Sequence, residues 1–432
     1  MINISYFNIM MLRKNMESYN NQYLQDNKDS IQSEVVTNTK SQEKLKERLF
    51  SYLPISLFGS VMGLSAMSIA WYLAKETFSF PESHLKPFIE NFSIFASSFF
   101  GILAILAFIV LFIAYGLKIL TSFQSFKQEF QNPITRPFFG TFAIACLLLP
   151  IVLLQICKIF LQYFSVTEVD NIDLFVTSVL TFSIPSLVLW GFGIILMLSF
   201  AIHISSFWIC HKHEITHITP AWIVPVVGLL DIPLALPFLF KSEFLAFQEN
   251  LTMLCLAVGL FFAIILIPLI LARIIFFEKL PDKLMPTLFI LLAPFGVGIS
   301  TYAIAFGIDK FATMLFYIGL FLFFALLPQI FKAYKCCPFR VTWWAISFPF
   351  AAMSIAALKL TNQARIEYIN GLCKTHTHET CNIVLNYSNI NFNTALYSIL
   401  SLFFIISCTL VFLWLIFRTL RGILNGELQN MS

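Results

Sequence analysis

The chain alternates long apolar stretches with short polar segments. Ten stretches are apolar enough, and long enough at about 1.5 Å per residue, to cross a hydrocarbon core about 30 Å thick as α-helices. They occupy residues 50–74, 92–117, 136–159, 172–200, 218–240, 250–272, 285–307, 311–331, 341–360 and 393–417. We therefore predict an all-α polytopic membrane protein with ten transmembrane spans. Only Gly307 to Lys310 separate the seventh and eighth stretches, and their merger would reverse the topology downstream.

Prolines are concentrated in the odd-numbered spans. A proline removes a helix hydrogen bond, and in a bilayer the freed carbonyl is tolerated only where it faces protein or a water-filled cavity. We interpret the odd spans as kinked inner helices and the even spans as outer helices, arranged as five hairpins. The predicted kinks are Pro54, Pro150, Pro225, Pro294 and Pro349, and the accompanying small residues are Gly59, Gly63, Gly228, Gly296 and Gly298. Pro185 and Pro268 in even spans break this pattern, and both residue types are common in membrane helices.

The remaining segments are polar. Residues 1–42 are rich in Asn, Gln, Ser and Lys, have no apolar run suited to a signal peptide, and predict a disordered cytoplasmic tail. Residues 43–420 form the predicted ten-helix channel domain, whose longest outer loop is 361–392. Residues 421–432 are the predicted cytoplasmic C-terminal tail.

Composition and charge agree with this membrane assignment. The chain is 58% hydrophobic and only 12% charged, far from the averages of soluble proteins. A net charge of +4 is too small to indicate a nucleic-acid partner. With the N-terminus inside, sixteen Lys and Arg residues fall on the inner side and eight on the outer side, leaving out the distal tail. Both termini are therefore predicted to be cytoplasmic.

Two groups of cysteine and histidine residues are candidate sites. Cys373 and Cys381 share the longest outer loop, where an oxidising compartment would allow a disulfide. The competing reading is a metal site, because His376 and His378 lie between the two thiols, but so short a loop is a weak signal. The inner segment from Cys210 to His217 carries similar ligand types, although juxtamembrane residues at an aqueous interface explain it more simply. We predict no metal and no cofactor.

Asp231 lies near the middle of the fifth span. It is the only acidic residue well inside the apolar stretches, and a carboxyl group is costly at that depth. It is either structurally silent, as a protonated or hydrogen-bonded group, or a group that exchanges a proton as substrate moves.

Three motifs occur in order along the odd spans. They are Pro54-Ile-Ser-Leu-Phe-Gly59-Ser-Val-Met-Gly63, Thr219-Pro-Ala-Trp222-Ile-Val-Pro225-Val-Val-Gly228 and Trp343-Trp344-Ala-Ile-Ser-Phe348-Pro349. These resemble the first, fifth and ninth helix motifs of the slow-type anion channel and TehA tellurite-resistance family, which includes fungal malic-acid transporters. The resemblance covers roughly Leu49 to Arg418.

The resemblance implies an architecture and a gate. Members of that family have five hairpins around a central pore in pseudo-fivefold fashion, and their protomers form homotrimers with one pore each. A phenylalanine beside the ninth-helix proline occludes the pore, and by position this residue is Phe348. From the segment alone, the simpler interpretation is that Phe348 is one of 50 phenylalanines and packs or faces lipid.

Three functions remain open from the sequence. The first is a passive channel for small monovalent anions, in the plasma (bacterial inner) membrane, gated by Phe348. The second is a proton-coupled carrier of C4-dicarboxylates or tellurite, with Asp231 as the coupling group. The third is a membrane-embedded enzyme or receptor. It is disfavoured because the spans show no paired His/Asp cluster, no nucleophile arrangement and no phosphate-binding glycine loop.

Overall fold

Ten helices of the structure are long and apolar enough to cross a membrane, as the sequence predicted. A computed structural model describes residues 51–78, 85–163, 172–240, 244–336, 338–375 and 392–427, with backbone only at 172–179, 336 and 371–375. Those residues contain no β-strand. Spans 1 to 10 are Ile55–Phe78, Lys86–Thr121, Arg136–Tyr163, Leu180–Cys210, Pro220–Leu239, Leu245–Phe276, Asp282–Phe306, Lys310–Lys335, Val341–Asn370 and Phe392–Leu424.

The contacts between residues divide the chain into two units. The larger comprises Leu53–Tyr115 and Lys127–Ser432, and every feature discussed below belongs to it. The smaller includes Gly116–Phe126, the end of span 2 and the start of the helix Phe123–Gln131 that connects spans 2 and 3.

The odd-numbered spans form the interior of the larger unit, and the even-numbered spans form its outer layer. Between 67% and 89% of the apolar window of each odd span is buried, whereas only 22% to 33% is buried in each even span. Each odd span also contacts the next odd span, and span 9 contacts span 1. The five odd spans therefore form a closed ring, which confirms the prediction that they are the inner helices.

Every odd span begins with a 3₁₀-helical segment that is followed by an α-helical segment. The starting 3₁₀ segments are Ile55–Leu57, Arg136–Phe138, Pro220–Ile223, Asp282–Leu292 and Val341–Ile346. In span 5 the α-helical segment Val224–Val227 is followed by a second 3₁₀ segment, Gly228–Ala235, which carries Asp231. Pro225 and Pro294 occupy the first turn of the following α-helical segments, where a missing N–H costs little. Pro54 directly precedes a 3₁₀ segment, Pro349 is the third residue of the helix Ser347–Thr375, and Pro150 lies inside Phe139–Tyr163. The predicted kinks are thus mostly changes of helix type near the start of each span.

The boundaries differ from the predicted ones mainly at helix ends. Spans 7 and 8 are separate, because Gly307 has a φ of 73°, a left-handed conformation that glycine adopts at little cost. The helix of span 9 continues to Thr375, into the segment predicted as outer loop 361–392. The last helix reaches Leu424, into the predicted C-terminal tail. The predicted N-terminal tail, 1–42, lies outside the described residues.

Candidate functional site

Two cavities lie one after the other within the ring of odd spans. The first, here called the N-side cavity, has a volume of about 40 Å³ and is lined by N-terminal parts of odd spans. Its lining includes Gly59, Thr141, Asp231, Ala293 and Thr342. The second, the C-side cavity, has a volume of about 230 Å³ and is lined by their C-terminal parts. Its lining includes Glu76, Gln155, Lys158, Ser300 and Lys359.

Phe348 and Val297 line both cavities. Their exposed fractions are 5% and 3%, so the two side chains are enclosed by protein even though each borders two spaces. The two residues therefore form the partition between the N-side and C-side cavities. Phe348 is the residue that the family resemblance implies as the gate, and this role stays a prediction; Val297 was not predicted from the sequence.

The backbone around Phe348 is held by close packing of spans 1, 7 and 9. Ser347, the first residue of the α-helical segment, donates a 2.6 Å hydrogen bond from its Oγ to the Trp344 carbonyl. A β-carbon added to Gly63 would lie 2.1 Å from that Oγ, so the glycine lets span 1 approach. By contrast, Phe350 faces a cluster of aromatic rings and lies 5.1 Å from Phe323 between ring centroids. Of Phe348 and Phe350, only Phe348 borders the cavities.

The other predicted glycines occupy different settings. Gly59 lines the N-side cavity, and a β-carbon there would meet nothing within 4 Å. Gly228 lines the same cavity, and a β-carbon there would lie 2.4 Å from the Met197 Cε. Gly296 lies against the backbone of span 9, whereas Gly298 has only ordinary contacts with leucine side chains.

Asp231 lies in the wall of the N-side cavity. Its exposed fraction is 1%, and its Oδ1 has no hydrogen-bond partner among the described residues. Two neighbouring carbonyls are fixed from other spans: Trp190 donates to Ile232 at 2.9 Å and Thr301 to Leu230 at 2.6 Å. The 3₁₀ segment that carries Asp231 is therefore held in place on both sides. Among the described residues lining this cavity, no other side chain is charged.

The α-helical segments that begin near the wall of the N-side cavity each continue a 3₁₀ segment. They start at Phe58, Phe139, Ala293 and Ser347. The backbone N–H of each of these residues donates to a carbonyl of the preceding 3₁₀ turn. The unpaired N–H groups that carry the positive end of a helix dipole therefore belong to the start of each span and not to these four residues.

The C-side cavity contains ionisable side chains that the sequence analysis did not connect with the gate. Lys158 and Lys359 are two of the eight Lys and Arg residues that the sequence-based charge count assigns to the outer side. Counted along span 9, Phe348, Ala352, Ile355 and Lys359 follow the i, i+4, i+7, i+11 spacing of one helix face, and all four line this cavity. That spacing was the signal in the sequence for placing Lys359 on the same face as the gate.

Among the residues that the structure describes, no group of three or more His, Cys, Asp or Glu side chains could hold a metal ion. His213 packs edge-on against Trp222, with 5.5 Å between ring centroids. The predicted disulfide between Cys373 and Cys381 stays a prediction, because Cys381 lies outside the described residues and only the backbone of Cys373 is described.

Comparison with known proteins identifies similar chains. Residues 52–420 match the SLAC1 family, described as voltage-dependent anion channel. An uncharacterized transporter of Methanocaldococcus jannaschii is 26% identical over 335 residues, which is 73% of this chain and 87% of the relative. The S-type anion channel SLAH2 of Arabidopsis thaliana is 23% identical over 348 residues. That match spans 78% of this chain but only 59% of SLAH2.

Proposed function

The chain belongs to the SLAC1 family of voltage-dependent anion channels, and we propose that it is a passive channel for small monovalent anions closed by Phe348. The observation that carries this proposal is the place of Phe348, which lines both cavities while being only 5% exposed. A path through the ring of odd spans must cross that partition.

The physics of the partition supports a closed state. The ring of Phe348 and the methyl groups of Val297 offer no hydrogen bond to a hydrated anion. A constriction of this kind blocks ions both sterically and by excluding water. No lysine or arginine is among the described residues that line the N-side cavity, so an anion there would not be held by a fixed cation, which suits rapid passage.

We extend the proposal to the cellular setting. The chain lies in the plasma (bacterial inner) membrane with both termini cytoplasmic, which is supported by the excess of Lys and Arg in the segments assigned to the inner side. It forms a homotrimer with one pathway per protomer, as the resemblance implies. In this orientation the N-side cavity opens towards the cytoplasm.

Asp231 supports a second candidate function. A carboxyl group that lines the N-side cavity, with one oxygen unpartnered, is placed to exchange a proton with a passing substrate. An ionised Asp231 would repel an anion entering from this side. The chain would then be a proton-coupled carrier of a C4-dicarboxylate or of tellurite.

Anion flux through reconstituted Phe348→Ala tests the proposal. Removing the ring opens the partition, so we expect chloride and nitrate flux to rise by about 100-fold or more over wild type. Flux should follow the membrane voltage and be the same at matched and unmatched pH. The measurement is liposome efflux or current in planar bilayers.

The matched control is Phe321→Ala on span 8. Phe321 is 73% exposed on an even-numbered span, so its loss should leave flux at the wild-type level. Equal, negligible flux in wild type and Phe348→Ala would contradict the gate. Flux that requires a pH gradient and disappears in Asp231→Asn would instead establish the proton-coupled carrier.

A further inference from the structure

A recess with a volume of about 790 Å³ lies between the C-terminal end of span 9 and the N-terminal ends of spans 8 and 10. Its lining includes Lys310 and Thr313 of span 8, Gln363 and Glu367 of span 9, and Tyr397 of span 10. Ligand pockets typically have volumes of about 300–1,000 Å³. None of the described residues that line this recess lines the N-side or the C-side cavity. The recess is therefore separate from the path that crosses the partition.

The recess adjoins an apolar strip of span 8. Lys310 and Thr313 also line a second recess, of about 450 Å³, together with Met314 and Ile318. Lys310, Met314 and Ile318 follow one another at intervals of four residues, so they lie on one face of the helix. Met314 is 50% exposed and Ile318 is 41% exposed. From Lys310 to Ile318 the helix rises about 12 Å, which is less than the roughly 15 Å of hydrocarbon in one leaflet. The strip therefore runs from the end of the span towards the middle of the membrane.

Two tyrosines mark the depth at which the two recesses meet. Tyr397 lines the first recess and Tyr317 lines the second. Their hydroxyl groups share a 3.0 Å hydrogen bond that joins span 10 to span 8. Tyrosine is enriched where hydrocarbon meets water, because its ring is apolar and its hydroxyl is polar. The polar recess therefore lies at the membrane interface, beside the apolar strip.

Lys310 and Glu367 are the charged groups of the recess that are available to a ligand. Lys310 is exposed and has no hydrogen-bond or ion-pair partner among the described residues. Glu367 is exposed, and the Gln363 amide donates a 3.0 Å hydrogen bond to its Oε1, which leaves Oε2 available. A third charged residue of the lining, Asp309, already accepts hydrogen bonds at both carboxylate oxygens. The recess thus offers one cation and one anion to a ligand.

We propose that this recess binds the headgroup of a phospholipid with a primary ammonium group, phosphatidylethanolamine, and that one acyl chain lies along the strip of span 8. Lys310 donates to the phosphate, and Glu367 accepts hydrogen bonds from the ammonium group. The chain itself gives little selectivity, because the tails of all phospholipids are similarly apolar. Selectivity comes from the headgroup, since phosphatidylcholine has no N–H donor and phosphatidylglycerol has no cation.

Native mass spectrometry of the full-length purified protein tests the site with these three lipids, all carrying identical acyl chains. We expect wild type to bind phosphatidylethanolamine at least about 5-fold more tightly than the other two. Lys310→Met should weaken its binding by about 5-fold or more, whereas Lys310→Arg should stay within about 2-fold of wild type. Glu367→Gln should reduce the preference for phosphatidylethanolamine to less than about 2-fold. Both side chains are exposed, so neither substitution removes packing.

Lys86→Met and Glu249→Gln are the matched controls for the loss of each charge. Lys86 is the first residue of span 2, as Lys310 is of span 8, and Glu249 lies near the start of span 6. Neither residue lines the recess or the strip. Both variants should bind the three lipids as wild type does. Equal effects in a site variant and its control, or equal binding of the three lipids by wild type, would overturn the site.

A fourth ligand distinguishes a lipid from a soluble compound. Glycerophosphoethanolamine has the same headgroup without acyl chains, so it gains nothing from the apolar strip. At equal concentration it should displace almost none of the bound phosphatidylethanolamine. Equal displacement would assign the recess to a soluble ligand and overturn the lipid proposal. None of these measurements requires ion flux, so a failure of the channel proposal at Phe348 would leave their outcome unaffected.

Discussion

At the scale of single residues, Gly296 sets how closely spans 7 and 9 approach beside the gate. A β-carbon there would lie 2.8 Å from both the carbonyl carbon of Ala352 and the amide nitrogen of Met353. These are backbone atoms, so the contact cannot be relieved by a rotamer change. The next residue, Val297, is part of the partition. A displacement of span 9 at Gly296 would therefore reach Phe348 directly.

Gly296→Ala should destabilise the protein by about 1–3 kcal/mol, because overpacking outweighs the roughly 1 kcal/mol that alanine gains in a helix. Gly298→Ala is the matched variant, since the nearest atom to its β-carbon would be 3.7 Å away. That variant should be as stable as wild type or slightly more stable. Thermal unfolding by tryptophan fluorescence compares them, and equal midpoints for the two variants would contradict the close-approach argument.

The residues at the gate differ in how far they could be predicted. Phe348 was predicted through the resemblance, and Asp231 because a carboxyl group inside an apolar span is rare. Lys359 was missed because apolarity ends near residue 360, so a lysine there looked like a loop charge. Its helical spacing from Phe348 was available in the sequence. The 3.3 Å hydrogen bond that its Nζ donates to the Ser300 carbonyl was not, because this depends on how two spans pack.

At the scale of elements, the start of span 8 is defined by a polar cap. Asp309 accepts hydrogen bonds at Oδ1 from the backbone N–H groups of Phe311 and Ala312, at 2.9 and 3.0 Å. Its Oδ2 accepts a 2.8 Å hydrogen bond from the Tyr302 hydroxyl. Of these partners the Ala312 N–H contributes most, and together they hold the pKa of Asp309 below its ordinary value of 3.8. With Gly307, this cap separates spans 7 and 8.

Asp309→Ala should cost about 1 kcal/mol of stability at neutral pH, as expected for the loss of a helix cap, whereas Asp309→Asn should retain most of it. Because the folded-state pKa is lowered, the stability due to ionisation is present above about pH 4. It is lost as the pH falls through the folded-state value. The difference in unfolding midpoint between wild type and Asp309→Asn should therefore shrink below pH 4. A difference that stays constant down to pH 3 would exclude this cap as an acid-sensitive element.

The ends of elements were the part least accessible to prediction. Hydropathy measures where the hydrocarbon core ends, whereas a helix continues as long as its backbone hydrogen bonds do. The helix of span 9 therefore passes from the apolar run into the polar residues 361–375 without interruption. The 3₁₀ starts of the odd spans were likewise not predicted, because prolines mark a break without specifying the helix type on either side.

At the scale of the whole molecule, the two classes of span differ in apolarity as well as burial. The even spans have a mean hydropathy of 2.2 to 3.0, and four of the five odd spans lie at 2.0 or below. In a bilayer, the outer surface is the more apolar one because it faces lipid, and helices around a cavity can carry polar groups. This difference agrees with the assignment of inner and outer spans, which was made from the positions of the prolines. The order in which the inner spans close into a ring comes from the structure. Before the structure, the ring was available only as something that the resemblance implies.

Cysteine accessibility tests the partition and the orientation together. Ser56 lines the N-side cavity and Ile355 the C-side cavity, and both are half-buried. In sealed vesicles, a membrane-impermeant anionic thiol reagent on the extracellular side should modify Ile355→Cys and leave Ser56→Cys unmodified, because Phe348 separates the cavities. From the cytoplasmic side the result should be reversed. The unmodified chain, which has nine cysteines of its own, provides the background. Modification of Ser56→Cys only from outside would keep the partition but invert the proposed topology, and modification of both from one side would show an open path.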